Sequence, residues 1–275
     1  MTDKRATLAE AMATVFDGAR IALGGNTLHR GPGAAVHEIV RQGKRQLEIV
    51  KTAGAYDVDL LCAAGCVSAV SAGFVGYETP FGMAPAYRKA VESGVVEARE
   101  HACATVIAGL RAAIQGVPFM PVAGLLGSDL PAARGFQAVA DPYSEATVYV
   151  VPALIPDVAI LHVQEADAAG NGRIIGTRFE DVLMAQAARR VVLTAERLID
   201  GAAFAEAPES VAIPSFLVDA VVAAPAGAWP FSCTPYYGYD TAYLAAWVAA
   251  ARDPDTARDF IANQILLPAP VAVPA

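Results

Sequence analysis

Short apolar runs rich in β-branched residues alternate with helix-length amphipathic segments along this chain, with glycine or proline at many of the junctions. Arg20–Leu23, Leu47–Val50, Val67–Val70, Val148–Val151, Val158–Val163 and Val191–Ala195 have the length and composition of strands buried on both faces. Between them lie helical patterns. Thr7-Leu8-Ala9-Glu10 is a capping box that opens a first helix, and Asp17-Gly18 turns the chain into the first strand. Pro32 and Gly33 start a helix through Gln42, with Val36, Ile39 and Val40 on one side and Gly43 as its stop. Val58–Ala64, Pro85–Glu92, His101–Ile114, Asp181–Ala188, Thr241–Arg252 and Asp255–Asn263 read as further helices, and Leu267–Ala275, with its prolines, as a tail or arm. Parallel neighbours need helical crossovers, so this alternation predicts an α/β fold, a mostly parallel sheet flanked by helices. No composition break marks a linker. The expectation is a single domain over residues 1–275, with a small lobe at about 115–150.

A chain of 275 residues, 55% apolar, can bury a core without disulfides or metal. Its formal charge of -8, with Lys and Arg scattered, offers no basic face to nucleic acid. The mean hydropathy of +0.40 comes mostly from Ala and Val spread throughout. Pro152, Pro156 and Asp157 interrupt Val148–Val163, and Asp219 and Pro225 interrupt Phe216–Ala228. Neither reaches the roughly 18–20 apolar residues of a membrane span. Met1–Arg20 has no apolar secretory core, so a cytoplasmic location is expected. Cys62, Cys66, Cys103 and Cys233 form no CxxC pair and have no His-rich neighbour, so they read as small buried hydrophobes with no metal site.

In open parallel sheets, ligands bind where strands run into loops at their carboxyl ends. Three such loops stand out. The first, residues 24–33, has glycines whose backbone N–H groups could face an oxyanion or phosphate. Its spacing fits neither a dinucleotide fingerprint nor a P-loop, and a tight strand-to-helix connection would account for it equally well. The second, residues 73–85, mixes aromatics, glycine and proline with Glu78, which suits an apolar acyl pocket or a wandering surface loop. The third, residues 124–131, offers Ser128 and Asp129 as ligand groups or as turn residues. No GxSxG elbow is present, and among the four histidines only His29 lies in a glycine loop. His162 sits within an apolar strand and reads as a core residue. The acids at Glu165 and Asp167 read as part of a solvated turn.

Read in order, these pieces resemble the A subunits of family I CoA-transferases, of the glutaconate and 3-oxoadipate type. The resemblance is carried by Ile21-Ala22-Leu23-Gly24-Gly25 after Asp17-Gly18, and by His37-Glu38-Ile39-Val40-Arg41-Gln42-Gly43. Gly76-Tyr77-Glu78 with Met83-Ala84-Pro85, and Gly116-Val117-Pro118-Phe119-Met120-Pro121 leading to Gly127-Ser128-Asp129, continue it. Pro156-Asp157-Val158 through Gln164 and Val218-Asp219-Ala220 complete the set. Each piece is weak alone; the order is specific.

The resemblance implies the CoA-transferase fold (NagB-RpiA-like), coenzyme A as cosubstrate without metal, and a B subunit in an α2β2 assembly. It implies transfer of CoA between an acyl-CoA and a small carboxylic acid through a glutamyl-CoA thioester whose glutamate belongs to the B subunit. No catalytic residue is then expected in this chain. Gly24, Gly25 and Asn26 would supply hydrogen bonds, His29 and Arg30 cations near a carboxylate, Tyr77 and Glu78 the acyl pocket, and Ser128 a binding or positioning group. Glu92-Ser93-Gly94 looks like the nucleophile's setting, but it ends an amphipathic helix with Gly94 as its left-handed cap. This first loop lacks the aromatic that relatives often place after the glycines, which bears on the acid accepted. Two alternatives stay open: part of a hydrolase of ring-derived CoA thioesters, with Glu78 or Glu100 orienting water, and a non-catalytic binding or isomerase-like α/β protein.

Overall fold

The structure, a computed structural model, describes residues 2–79 and 81–267. Along the chain, α1 (Leu8–Ala13) leads to β1 (Arg20–Leu23), followed by α2 (Gly33–Arg41), β2 (Leu47–Gly54), α3 (Tyr56–Ala63) and β3 (Val67–Glu78). A short β4 (Gly82–Met83) precedes α4 (Pro85–Glu92), β5 (Glu97–Glu100) and α5 (Cys103–Gln115). Then come β6 (Phe119–Val122), α6 (Leu130–Arg134), β7 (Gln137–Ala140) and β8 (Thr147–Pro152). The chain continues with β9 (Val158–Ala166), β10 (Gly172–Arg173), α7 (Asp181–Ala187), β11 (Val191–Leu198), α8 (Ala202–Glu206), β12 (Ala220–Ala223), α9 (Thr241–Ala250) and α10 (Pro254–Ile261). The expected tail lies, beyond Leu267, outside the described residues.

The main sheet runs β12-β11-β9-β1-β2-β3, with β5 also beside β3, and every one of these pairs is parallel. From β1 the chain steps outward through β2, β3 and β5; β9, β11 and β12 later extend the opposite side. The neighbours β1 and β9 therefore flank the point where the order reverses, the place where a parallel sheet opens a crevice at its carboxyl edge. Alternate side chains fill two cores. Ile21, Leu23, Ile49 and Ile160 point to one face, with Tyr56, Phe231 and Trp247. Ala22, Val50, Leu161 and Val163 point to the other, with Val106, Leu110 and Met184. Strands buried on both faces are what the continuous apolar runs require.

Two strands depart from expectation. β3 does not stop at Val70 but pairs with β2 as far as Gly54↔Val75, so much of the expected second loop is strand. Gly73 explains the difference: a Cβ there would lie 2.4 Å from the Cys103 amide nitrogen, so the glycine serves close packing against the start of α5, not a turn. The Val148–Val151 run belongs to β8, the middle strand of a separate antiparallel sheet, β6-β8-β7, and is only partly buried. An apolar run reveals a strand but not which sheet receives it.

Candidate active site

The glycine loop leaves the carboxyl end of β1 at the reversal point. Gly24 N–H donates to Ile160 O at 2.9 Å, continuing the ladder to β9. Gly25 has φ +72°, and Asn26 and His29 then close a tight turn by bonding each other's backbone at 2.9 and 2.8 Å. Thr27 N–H reaches Ala53 O on the end of β2, and Arg30 N–H reaches Ser232 O at 2.7 Å.

Charge beneath this loop alternates. Arg30 is buried, and its guanidinium holds Asp181 at 2.7 and 3.1 Å, with further bonds to His162 O and Thr177 O. The Asp181 carboxylate also accepts from Gly25 N–H at 3.3–3.4 Å. On the other side, the buried Lys51 ammonium bonds Gly24 O at 2.8 Å and pairs with buried Asp57. Asp57, Lys51, the Gly24–Gly25 peptide, Asp181 and Arg30 thus form one buried chain of opposite charges and dipoles. A Cβ on Gly24 would lie 2.6 Å from Asp181 Oδ1, and one on Gly25 would lie 2.4 Å from His29 O. The two glycines are needed for that approach.

Three expectations change here. The Gly24 and Gly25 amides serve β9 and Asp181, not an incoming oxyanion. Arg30 stands beside a carboxylate, but one of its own chain, so it brings no free positive charge. Asn26 contributes through its backbone turn.

Over the loop opens a cleft of about 410 Å³ lined by His29, Arg30, Gln164, Ile175, Thr177, Phe179, Ser232 and Thr234, among others. His29 is exposed, and its Nδ1 lies 2.8 Å from Ser232 Oγ. Nearby, Thr52 on β2 donates to Glu180 Oε2 at 2.6 Å. A second concavity of about 370 Å³ lies farther along the sheet, lined by Phe74, Val75, Gly76, Glu78, Thr79, Gly82 and Met83. In the sheet order β2, paired through Gly54 with Val75, separates the loop after β1 from the end of β3 that carries the second concavity. Within this chain they are two concavities, not one cleft.

Glu78 is exposed at the rim of the second concavity, with φ +60°. Tyr77 is not part of that concavity's lining. It is fully buried, and its hydroxyl donates to Asp59 at 2.9 Å, because successive strand residues face opposite sides. Ser128 is exposed outside both concavities, and its hydroxyl accepts from Leu130 N–H at 3.2 Å, the behaviour of a turn residue. Glu92 ends α4, is exposed and pairs with Arg88 at 2.7 Å, while Gly94 takes φ +74° after it.

His162 is a core residue as expected. It bonds Thr194 Oγ1 and Glu196 Oε1, and burial holds its pKa below the usual histidine range. Glu196 also accepts from Tyr237 and from Ala226 N–H, which ties the 224–237 loop to the end of β11. His162, Glu196 and Cys233 have ligand atoms within 4.8 Å of one another, a spacing that could hold a metal ion. Hydrogen bonds already engage the first two, and burial pushes the Cys233 thiol up to about 12. Cys103 departs from the reading of buried cysteines: it is exposed at the start of α5. Asp181, Ser232, Gln164 and Glu180 carry no mark in the sequence that singles them out. All four come from segments remote from the glycine loop, and no local motif ties them to it.

Comparison with known proteins follows the same architecture. Residues 5–224 match the family described as Coenzyme A transferase. The IpdA component of the cholesterol ring-cleaving hydrolase of Mycobacterium tuberculosis is 35% identical over 261 residues, 91% of this chain and 89% of that protein. The A subunit of the 3-oxoadipate CoA-transferase of Pseudomonas knackmussii is 34% identical over 256 residues, 91% of this chain and 89% of that protein. The glutaconate coenzyme A-transferase structure from Acidaminococcus fermentans superposes with a TM-score of 0.92 at 32% identity, covering 96% of this chain and 89% of that one. The chain spans 60% of the length of an uncharacterised Archaeoglobus fulgidus relative, 35% identical over 268 residues. Among the described residues, no helix is long and apolar enough to cross a membrane.

Proposed function

The chain belongs to the coenzyme A transferase family, and on that premise we propose that it is the A subunit of a heteromeric enzyme that moves CoA from an acyl-CoA to a small mono- or dicarboxylic acid. The observation that supports this most directly is the state of the acids around the reversal-point cleft. Asp181 is held by Arg30, Glu196 by His162 and Tyr237, and Glu180 by Thr52. The nucleophile in this reading is a glutamate of a B subunit, in an α2β2 complex that closes over the carboxyl edge of the sheet.

Its carboxylate oxygen bonds to the thioester carbonyl carbon, the C–S bond breaks, and CoA leaves as thiolate from an acyl-glutamyl anhydride. The thiolate then attacks the glutamyl carbonyl and expels the acyl carboxylate, and the acceptor acid collects CoA by the reverse sequence. Covalent catalysis divides one hard exchange into matched steps. Here Arg30, Asp181 and Lys51 hold the glycine loop rigid, and Phe74, Glu78 and Met83 form the wall for the acyl group. The chain acts as one domain over its length.

A hydrolase is the second reading, favoured by the IpdA relative at 35% identity. The purified chain alone, given labelled acyl-CoA, should exchange nothing, and activity should appear when its B chain is added. Exchange by the lone chain would end the heteromeric reading and favour a self-sufficient α/β enzyme. In the complex, free CoA released without any acceptor acid marks hydrolysis; CoA recovered on the acceptor marks transfer. Glu92→Ala should keep full activity in the complex, since Glu92 is the exposed last residue of a helix, paired with Arg88.

A further inference from the structure

The cleft over the glycine loop is poorer in free hydrogen-bond donors than its residue types suggest. Arg30 is used by Asp181, His162 O and Thr177 O. The Gln164 amide donates to Ile175 O at 3.1 Å and Thr234 O at 2.6 Å, and accepts from Ile175 N–H at 3.1 Å. A carboxylate entering here meets no unpaired guanidinium or amide. His29 also lines the cleft, and its chemistry depends on which ring nitrogen carries the proton.

Ser232 decides that. Its Oγ lies 2.8 Å from His29 Nδ1 and 3.3 Å from Leu28 O. A hydroxyl has one proton to give. If it goes to Nδ1, the contact with Leu28 O holds no hydrogen. If it goes to Leu28 O, the Nδ1–H of His29 donates to the free lone pair of Oγ, and both contacts become bonds. Only the second assignment uses both. Backbone bonds fix the geometry from either side, Ser232 N–H to Leu28 O at 2.9 Å and Arg30 N–H to Ser232 O at 2.7 Å.

We propose that Ser232 locks neutral His29 in its Nδ1–H tautomer, so that unprotonated Nε2 faces the cleft as an acceptor for an O–H donor. The donor is either water or a hydroxyl on the acyl group. With water, Nε2 takes a proton as the water oxygen bonds to the carbonyl carbon of a thioester; the C–S bond breaks, and the departing CoA thiolate receives that proton. With a substrate hydroxyl, no proton moves, and the contact selects hydroxylated acyl groups. The choice of donor rests on the CoA-thioester reading of the site; the tautomer does not.

The test has two arms. In the first, the chain carries ¹⁵N-labelled histidine and is studied by NMR at alkaline pH, with the His29 signals identified by their loss in His29→Gln. The Nδ1–H pattern is expected, retained in Ser232→Thr and shifted toward the Nε2–H form in Ser232→Ala. An Nε2–H pattern in the native chain, or none of that shift in Ser232→Ala, overturns the proposal. In the second arm the native complex is compared with His29→Phe and His29→Gln, whose amide oxygen can stand in for Nε2. A water donor predicts a fall of about a hundredfold or more in kcat for hydrolysis in His29→Phe, not restored by Gln, whose amide oxygen accepts a hydrogen bond but cannot take up the proton. A substrate hydroxyl predicts about a tenfold rise in KM for a hydroxyacyl-CoA relative to its deoxy analogue. Neither change overturns the acceptor role. A native complex inert toward every CoA thioester would sink the functional reading while leaving the NMR result to stand by itself.

Discussion

Arg30 and Asp181, 151 residues apart in sequence, meet at 2.7 Å with side chains 4% and 0% exposed, directly beneath the glycine loop. The pair joins the turn after β1 to the start of α7 and closes the reversal point from below. Removing one partner leaves a buried charge uncompensated, which typically costs about 3–5 kcal/mol. Arg30→Met and Asp181→Leu should each lower the stability of the purified chain by about that much, and the double variant by less than their sum. Urea unfolding of all four proteins measures this. Strict additivity would show that the two side chains do not depend on each other.

Gly25 and Gly43 separate conformational cost from collision. Both have positive φ, but a Cβ at Gly43 meets nothing within 4 Å, whereas one at Gly25 would lie 2.4 Å from the His29 carbonyl oxygen. Gly43→Ala should cost about 1 kcal/mol, the usual penalty of a left-handed alanine. Gly25→Ala should cost distinctly more and should displace His29. Equal midpoints for the two variants would mean that the loop is free to move aside.

Asp59 is buried among aromatic side chains and accepts from Tyr77 Oη, Trp247 Nε1 and Tyr87 N–H. Burial nonetheless raises its pKa to about 6 from 3.8, against the pull of those donors. The folded state therefore binds this proton more tightly than the unfolded chain. The resulting stabilisation is complete below pH 4 and is lost as pH rises through 6, a swing of roughly 3 kcal/mol. Asp59→Asn lacks the swing, so its stability should fall below that of the native chain most at pH 4 and less at pH 7. Parallel pH profiles would refute the burial argument.

His37 works in the opposite direction. It packs edge-on against Tyr56 and Trp229 with Nε2 2.8 Å from Tyr56 Oη, and burial lowers its pKa to about 3. The unfolded chain takes up this proton below pH 6.5 and the folded chain does not. Stability present above 6.5 is lost as pH falls, by about 1.4 kcal/mol per unit. Between pH 4 and 6 the Asp59 and His37 slopes oppose each other, so His37→Gln should make the protein relatively more stable in acid, while His101 and His162, whose pKa values burial also lowers, keep contributions of the same sign as His37. An unaltered acid limb in His37→Gln would place the acid sensitivity elsewhere.

Local chemistry was readable in the chain wherever neighbours along the sequence decide the outcome. The Thr7–Glu10 capping box forms as expected, Pro85–Glu92 is helical over that span, and Gly94 turns left-handed after it. The apolar runs gave strands, and their alternation with helices gave a parallel sheet with the glycine loop at its carboxyl edge. Tertiary contacts decided the rest. Gly73 looked like a turn because nothing local shows that α5 would pack against it. Tyr77 looked like a pocket wall because its facing depends on how far β3 extends. Arg30 looked like a free cation because Asp181 lies 151 residues away. Periodicity and capping are set by neighbours a few residues apart, so sequence alone determines them. The charge of a buried group and the proton of a histidine depend on partners that only the closed fold brings within 3 Å.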